Sequence, residues 1–304
     1  MSENGAFRLR LPATSANLGS GFDAVAVALD FDLEVHATAS AQFSIEAEGR
    51  DAVRCRELKD NLILSVYQKL LFENERPVVP LALHIANGIP LGMGCGSSAA
   101  GRLAGVALAV HFGHLGWDSE RVLKVATSLE GHPDNVAACW LGGFVATAWD
   151  DKGVRVAAVD PPSAWRAVIV LPRTPLPTSQ ARAVLPDSYT RADVVSNIQA
   201  VSMLGLAFAQ GRGDLLRSTM RDRIHQPYRS AMCPLLPALL PLAGDHGILG
   251  VALSGAGPAV LVIVEGQQSI EQASRAIEKA THSVEEAELL ICRFKPSLFQ
   301  GGLR

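Results

Sequence analysis

The sequence predicts an α+β fold in two domains, and three observations support this prediction. In the second half of the chain, the patterns follow in the order strand, long helices, strand, strand, helix, strand, which suits helices packed on one face of an antiparallel sheet. The 304 residues are enough for two modest domains, and a hydrophobic content of 48% can fill a sizeable core. Between residues 150 and 162 the chain turns polar and rich in Asp and Pro, so we predict domains over residues 1–157 and 158–304.

The composition excludes several classes of function. A net charge of -3 and a pI near 6.2 leave no basic surface for nucleic acid or for an anionic membrane. The five cysteines are scattered and form no CxxC pair, so neither a disulfide framework nor a zinc site is indicated. The first residues lack the features of a signal peptide, and no apolar run approaches the roughly 18 residues that span a bilayer. We therefore expect a cytoplasmic protein without a nucleic-acid or membrane partner.

The first elements frame a polar loop. The pattern predicts a strand over residues 6–11 and an apolar strand over residues 24–29. Small and polar side chains that can hold a polar small molecule lie between them, namely Thr14, Ser15, Asn17, Ser20 and Asp23. Local turn chemistry explains the same residue types, since Asn, Ser and Gly populate turns for reasons of their own. Both interpretations stay open.

Three ordinary elements follow the polar loop. The pattern predicts a hairpin of two strands over residues 33–38 and 42–47. An amphipathic helix is predicted over residues 60–71, with Asp60 or Asn61 near its start. A strand over residues 80–86 then leads into a glycine-rich stretch.

This glycine-rich stretch is the centre of the predicted site. Residues 89–108 read IPLGMGCGSSAAGRLAGVAL, in which alternating glycines precede the hydroxyls of Ser97 and Ser98 at the start of a helix. Glycines permit positive φ, and the free N–H groups and dipole of a helix start favour an anion, so the implied ligand is a phosphate. The stretch lacks the Lys of a Walker A loop and the spacing of a dinucleotide fingerprint. A tight turn before a closely packed helix is the alternative interpretation.

A cluster of carboxylates beside a histidine comes next. Asp118 is a candidate N-cap for a helix through residue 129, and Glu130, His132, Asp134 and Asn135 follow that helix. Carboxylates clustered with a His at a loop suit a metal or an acid–base role, and hard oxygen ligands favour Mg²⁺. A helix stop followed by a new N-cap would place the same residues there, so this alternative stays open.

The second half begins with a strand over residues 167–171 and a proline-rich stretch up to residue 190. Its prolines forbid a continuous helix or a central strand, so we expect an extended loop that acts as a lid and carries Thr178 and Arg182. A long helix over residues 190–210 follows, with a T-x-x-D start. Beyond it lies Arg229. Arginines cover helix surfaces routinely, whereas two that converge on a carboxylate form a binding clamp.

The last elements surround another glycine turn. Two apolar strands within residues 248–264 are joined by the sequence SGAGP at residues 254–258. A helix over residues 269–281 and a strand over residues 287–294 complete the predicted order.

These loops, taken together, resemble the motifs of the GHMP small-molecule kinases. PATSANLGSGFDA is similar to the first motif of that family, PLGMGCGSSAA to its phosphate-binding second motif and SGAGPAV to its third. The segments EGHPDNVA, TSQARAVLP and HQPYR are more narrowly similar to the branch that phosphorylates L-homoserine. The resemblance implies an N-terminal domain with a left-handed βαβ unit, a ferredoxin-like C-terminal domain and an active site between them.

The resemblance also implies roles for individual residues. It implies transfer of the γ-phosphoryl group of ATP to the side-chain hydroxyl of L-homoserine by a homodimer, with Ser98 and Glu130 as Mg²⁺ ligands. The implied nucleotide cradle comprises Pro90, Leu91, Gly92, Met93, Gly94, Cys95, Gly96, Ser97 and Ser98, with Gly255 and Gly257 from the second domain. The implied amino-acid site comprises Asn17, Asp23, His132, Asn135, Thr178, Arg182 and Arg229. The implied catalytic residues are Asp23, Asn17 and Asp134.

Several alternatives stay open after this comparison. The general base is one, because Asp23 would be engaged by the substrate ammonium and a loose transition state requires little beyond an oriented hydroxyl. A second is the acceptor, since mevalonate, a sugar or shikimate would suit the same fold. A third is a non-catalytic sensor on this scaffold. Cys95 and Met93 depart from the residues usual in the family, which makes Cys95 a candidate for oxidation.

Overall fold

A computed structural model describes residues 6–298 of the chain. Residues 1–5, part of the stretch from which the absence of a signal peptide was predicted, lie outside the described residues. The first half contains the strands β1 (Ala6–Ala16), β2 (Val25–Ala39), β3 (Ser44–Gly49), β4 (Leu81–Asn87), β5 (Phe144–Asp150) and β6 (Gly153–Val159). Its helices are α1 (Ala52–Cys55), α2 (Leu62–Glu73), α3 (Ser97–Phe112), α4 (Ser119–Glu130) and α5 (Asp134–Leu141).

These six strands form one sheet, and β2 is its central strand. The order is β3-β4-β2-β5-β6, and β1 pairs antiparallel with β2. The predicted hairpin over residues 33–38 and 42–47 is wrong. β2 is continuous and its second half already pairs with β1 and β4, so β3 pairs with the remaining edge of β4. That pairing is parallel, and the connection through α1 and α2 makes a βαβ unit, whose hand stays a prediction.

The second half forms a smaller sheet with helices. Its strands are β7 (Arg166–Pro172), β8 (Ile248–Leu253), β9 (Val260–Val264) and β10 (Ala287–Cys292), in the antiparallel order β10-β7-β9-β8. Its helices are α6 (Thr178–Ala183), α7 (Arg191–Gln210), α8 (Leu216–Thr219), α9 (Gln226–Arg229), α10 (Leu235–Leu239) and α11 (Ile270–Thr281). Short 3₁₀ turns follow α7, α9, α10 and β9. The connectivity is the βαββαβ pattern of ferredoxin-like domains, as expected.

The proline-rich stretch is not extended throughout. It contains the short helix α6, with Pro177 in extended conformation immediately before it. The expectation of a wholly extended loop is therefore wrong, because a proline just before the first turn removes no intrahelical hydrogen bond. Both Thr178 and Arg182 lie on α6.

The predicted helix starts are confirmed where a capping side chain was identified. The side chain of Asn61 accepts hydrogen bonds from the first turn of α2, and Asp118 does the same for α4. Thr190 accepts from the backbone N–H of Asp193 at the start of α7. Each cap satisfies N–H groups that have no intrahelical partner.

The two halves share a hydrophobic core. Phe144 of β5 stacks on Phe208 of α7 with ring centroids 4.3 Å apart, and Trp165 meets Phe208 edge-on. The chain end also returns to the first sheet, where the backbone N–H of Lys295 donates to the carbonyl of Ala28. The predicted domain boundary at residue 157 falls inside β6, which pairs with β5 along its full length, and the division into two domains stays a prediction.

Helix α7 begins and ends within one residue of the predicted helix, but it is more apolar than expected, since no run of membrane-spanning length was predicted. By length and composition alone it is able to cross a membrane, with a mean hydropathy of 1.3 in an 18-residue window of which 22% is buried. One such helix in the described chain is weak evidence for a membrane span. The side chain of Asn197 donates to the carbonyl of Ser20, and Phe208 lies in the core, so one face of α7 packs on the protein.

Candidate active site

The glycine-rich loop ends at the N-terminus of α3, a helix of 16 residues. Gly96 is its N-cap with a φ of 75°, and Gly94 has a φ of 80°. A Cβ at Gly94 would overlap the carbonyl oxygen of Ser254, and a Cβ at Gly96 would overlap the hydroxyl of Thr14. These positions therefore require glycine for two reasons, backbone conformation and close packing. The first-turn N–H groups of α3 have no intrahelical partner, which is the arrangement that the predicted phosphate site requires.

Segments from both halves of the chain hold this loop in place. Backbone and side-chain donors from β1, the proline-rich stretch and the SGAGP turn contact its carbonyl groups. The donors Leu176, Ala259, Ser254 and Thr14 bond the carbonyls of Gly92, Met93, Gly94 and Cys95. The loop is thus a rigid part of the joint between the two halves.

The two expected metal ligands lie together at the start of α3. The hydroxyl of Ser98 is 3.0 Å from Oε2 of Glu130, which ends α4. Arg102, one turn further along α3, donates to both oxygens from Nη1, at 2.5 Å for the Glu130 carboxylate. A hydroxyl and a carboxylate form a donor set that suits Mg²⁺, and the guanidinium between them shows that this position attracts a cation. The residues present therefore fit the implied metal.

A second cluster joins the carboxylates to the histidine. Nδ1 of His132 donates to Oδ1 of Asp134 at 2.6 Å, and its Nε2 is 3.8 Å from Glu130. Burial lowers the pKa of His132, but the hydrogen bond to Asp134 and the nearby negative charges outweigh burial and raise that pKa overall. Oδ1 of Asp134 also accepts the N–H of Asn135, and the Asn135 side chain accepts from Thr14 at 2.6 Å. These three side chains are buried, and their hydrogen bonds hold each of them in one orientation.

Asp23 and Arg182 form a bidentate ion pair. The two guanidinium nitrogens donate to the two carboxylate oxygens at 2.9 and 2.7 Å, across 159 residues of sequence. Asp23 has a φ of 54° in the polar loop, and its backbone N–H donates to Asn17. Asn17 in turn donates to the carbonyl of Gly255 at 2.7 Å. Asn17 therefore links the first loop to the third.

Arg229 is a buried cation at the same site. Its side chain is 1% exposed, with Nε donating to the carbonyl of Ala181 and Nη1 to Nδ1 of His225. Burial and the adjacent charge of Arg182 lower the pKa of Arg229. Both guanidinium groups lie over the ring of Phe22, at 5.5 and 5.4 Å. A partly desolvated cation of this kind favours an anionic ligand.

His225 sets the orientation of Arg229. Nε2 of His225 lies 2.8 Å from the carbonyl of Gly19, which only accepts, so Nε2 carries the proton and Nδ1 is left to accept from Arg229. Burial lowers the pKa of His225 to about 4. His225 was noted in the HQPYR segment without a role, and Phe22 was not noted, because the role of each depends on contacts with distant segments.

A cavity lies among these groups. Its lining includes most of the predicted residues: Asn17, Asp23, Gly92, Gly94, Gly96, Ser97, Ser98, Glu130, His132, Asp134, Asn135, Thr178, Arg182, Arg229 and Gly255. Five other predicted residues do not line it, namely Pro90, Leu91, Met93, Cys95 and Gly257. Cys95 is fully buried and burial raises the pKa of its thiol to about 12, so the expectation that Cys95 is open to oxidation is wrong.

A larger cavity meets the first one at Gly92, Ser97 and Ser98. Its lining combines apolar side chains such as Ile63 with polar ones such as Asn61. The sequence did not predict this groove, since residues 54–63 carry only an ordinary helix start. The groove arises because β4, the α1–α2 connection and α3 pack side by side.

Comparisons with known proteins agree with this geometry. Residues 61–143 match the family model of the GHMP kinases N terminal domain, and residues 206–283 match that of the GHMP kinases C terminal domain. The chain is 45% identical to a homoserine kinase of Solibacter usitatus over 88% of this chain and 89% of the relative. It is 38% identical to a homoserine kinase of Deinococcus radiodurans over 84% and 83%.

The fold is also similar to a solved structure. The crystal structure of a homoserine kinase from Cytophaga hutchinsonii superposes with a TM-score of 0.82 at 25% identity, covering 97% of each chain. The similarity therefore extends over both halves of the chain.

Proposed function

Because this chain belongs to the GHMP kinase family, we propose that it transfers the γ-phosphoryl group of ATP to the side-chain hydroxyl of L-homoserine and forms O-phospho-L-homoserine. The observation that carries this proposal is the pairing of Asp23 with Arg182 beside the buried Arg229, in the cavity that also contains the phosphate loop. These three groups match a free amino acid, which presents one ammonium and one carboxylate. The product would serve threonine biosynthesis, as the names of the relatives imply.

The nucleotide would occupy the larger groove and the start of α3. The apolar part of the groove suits a base, and the N–H groups of residues 96–98 suit the triphosphate. We assign Ser98 and Glu130 as the residues that would hold Mg²⁺. When bound, Mg²⁺ would neutralise phosphate charge. This is needed because the phosphate loop lacks the lysine that does so in a Walker A loop.

The amino-acid end of the substrate would take the places of an existing ion pair. The ammonium group would bind Asp23, and the carboxylate would bind Arg182 and Arg229. The ion pair between Asp23 and Arg182 would thereby be replaced by two ion pairs with the ligand. The ring of Phe22 lies under both guanidinium groups and would keep them oriented. His132, Asn135 and Thr178 line the rest of the cavity and would orient the side chain with its hydroxyl.

The catalytic assignments concern the transferred proton. We propose Asp134 as the group that orients the hydroxyl and accepts its proton, acting beside His132, while Asn17 positions Asp23. Asp134 is 1% exposed and accepts two hydrogen bonds, so its carboxylate is held in one orientation. Asp23 is the alternative base when the ammonium is not bound to it. Orientation contributes most of the rate in such a loose transition state.

Two other functions would use the same scaffold. A kinase for mevalonate, a sugar or shikimate would have no ammonium to place, so a carboxylate such as Asp23 would have little use there. A non-catalytic sensor would have little use for the Ser98–Glu130 pair. The intact set of charged groups therefore favours an amino-acid kinase.

The assembly and location follow from the family. We propose a homodimer in the cytoplasm, and the exposed apolar side chains of α7 support a second copy as the partner of that face, namely Val194, Val195, Ile198, Met203 and Leu206. Light scattering after size exclusion tests the assembly. A monomer, or binding of the protein to lipid vesicles through α7, would contradict it.

A coupled ADP-release assay with Mg-ATP tests the proposed reaction. The acceptors are L-homoserine, L-serine, L-threonine, mevalonate and shikimate. We expect turnover on L-homoserine alone. Turnover on another acceptor would retain the nucleotide site and overturn the roles of Asp23, Arg182 and Arg229, whereas ATP binding without any turnover would favour the sensor.

A further inference from the structure

Arg102 occupies a position that neither its sequence context nor the proposed function explains. It lies on α3 one turn after Ser98, in a segment that is otherwise apolar or small. Its Nη1 donates to both the Ser98 hydroxyl and the Glu130 carboxylate, and its side chain is 24% exposed while that of Glu130 is 8% exposed. The guanidinium therefore lies between the two oxygens that the proposed function assigns to a divalent cation.

The negative charges around Glu130 favour a cation at the position of the Arg102 guanidinium. Glu130 shares its cavity with two other carboxylates, those of Asp23 and Asp134. Asp23 is paired with Arg182, and Asp134 is bonded to His132. Among the described residues, the other charged contact of Glu130 is His132 at 3.8 Å, which is too long for a hydrogen bond. Arg102 is thus the principal counter-charge of a nearly buried carboxylate.

A guanidinium and a divalent cation compete for this pair of oxygens. Both need the lone pairs of Oε2 of Glu130 and of the Ser98 hydroxyl, and two cations in contact with the same atoms repel each other. We propose that Arg102 is a resident cation, which holds Ser98 and Glu130 in place before nucleotide binds and is displaced by the divalent cation. This role rests on the proposed function in one respect, namely that Ser98 and Glu130 bind a metal.

Arg102 would therefore have two effects. It would compete with a divalent cation for Ser98 and Glu130, and it would hold these two side chains in place in the free enzyme. Without Arg102, the carboxylate would lack its main counter-charge, so the metal-free protein would be less stable. The same loss would remove the competitor, so a divalent cation would bind the pair more tightly. A merely structural salt bridge predicts the first effect without the second.

The experiment compares the full chain with its Arg102→Met variant, without nucleotide or substrate. We expect the variant to melt several degrees below wild type in the absence of divalent cations. Millimolar MgCl₂, against NaCl of equal ionic strength, should raise the melting temperature of the variant by more than it raises that of wild type. Electron paramagnetic resonance of free Mn²⁺ should show a dissociation constant several-fold lower for Arg102→Met.

Further variants keep the test independent of folding defects. Arg102→Lys retains one charge without the planar guanidinium and should give intermediate melting and Mn²⁺ binding. Arg121→Met changes an exposed arginine on α4 whose guanidinium lies over Trp117, and it should leave the Mn²⁺ affinity unchanged. Glu130→Gln should abolish the Mn²⁺ response. Equal Mn²⁺ affinity in wild type, Arg102→Met and Arg102→Lys would overturn the proposal, whatever the outcome of the acceptor assay.

Discussion

The charged groups of the cavity are partnered with one another rather than left free. Asp23 pairs with Arg182, Glu130 with Arg102 and His132 with Asp134. Because unpaired charges are costly when partly desolvated, these pairs keep the free protein stable while leaving each group exchangeable for a ligand charge. Arg229 differs, since its named partners are a carbonyl group and a neutral imidazole. Asp23 and Asp222 act on its charge without a direct ion pair among the described residues, which suits a ligand carboxylate.

Replacement of this arginine tests the carboxylate assignment. Arg229→Ala should raise KM for L-homoserine by the equivalent of roughly 2–4 kcal/mol of lost charged hydrogen bonding, with KM for ATP nearly unchanged. Steady-state kinetics at saturating concentrations of each substrate in turn measure both values. Arg221→Ala, at an exposed arginine eight positions earlier in the chain, is the control and should change neither. Unaltered homoserine kinetics in Arg229→Ala would remove this residue from the site.

The imidazole behind Arg229 makes stability depend on pH. The pKa of His225 is lowered by burial from 6.5 to about 4, so between these values the unfolded chain binds a proton that the folded chain does not. The free energy of unfolding should therefore fall as pH decreases from 6.5 toward 4, by up to roughly 3 kcal/mol from this group. Urea denaturation of wild type and His225→Gln across that range measures the difference. Parallel curves for the two proteins would contradict the prediction.

Helices and loops act here through their ends. The N-terminus of α3 supplies the proposed phosphate site, the C-terminus of α4 supplies Glu130, and α6 carries both Thr178 and Arg182. Capping and turn residues that fix these ends act over a few positions of sequence. For that reason the caps Asn61, Asp118 and Thr190 could be predicted and the extent of α6 could not, since a short helix between prolines depends on what it packs against.

Two glycines with similar backbone angles separate the cost of a positive φ from the cost of steric overlap with neighbouring atoms. Gly94 and Gly116 have φ values of 80° and 65°, but a Cβ would overlap Ser254 at Gly94 and meet nothing within 4 Å at Gly116. Gly116→Ala should cost about 1 kcal/mol for the backbone angle alone. Gly94→Ala should cost more, roughly 2–4 kcal/mol, and raise KM for ATP because the cradle shifts. Urea denaturation and ATP kinetics measure both effects, and equal losses of stability would contradict the crowding.

The two halves of the chain behave as one packed body in this structure. A continuous core passes from the first sheet through α3 and α7 to the second sheet, and the cavity lies at the joint. The phosphate loop is bonded by donors from both sides of that joint. The site should therefore unfold in the same transition as the hydrophobic core.

Phe208 lies where the halves meet and tests this cooperativity. Phe208→Ala should lower the free energy of unfolding by about 3–5 kcal/mol, because its 1% exposed ring stacks on Phe144. Tryptophan fluorescence and far-ultraviolet circular dichroism should still report a single coincident transition. Phe72→Ala, at a ring that is 81% exposed, is the control and should change little. Two separate transitions would show that the halves unfold independently.

The local chemistry of this protein could be predicted from the sequence. The glycine loop, the carboxylate cluster, the helix caps and the order of strands in the second half depend on residues near one another in the chain, so their signals are contiguous. The motifs also identified the family and most of the cavity lining before any geometry was known. The boundaries of the first strands could not be set this way, and the hairpin predicted there was wrong because β3 pairs with β4 instead.

The long-range pairings required the folded chain. Asp23 meets Arg182 across 159 residues, and Arg102 meets Glu130 across 28. No local pattern encodes such partners, because each contact depends on which surfaces of distant helices and loops the two sheets bring together. Residue types thus indicated what kind of ligands this protein binds, and the packing of the two halves determined which charges face each other and which of them a ligand must displace.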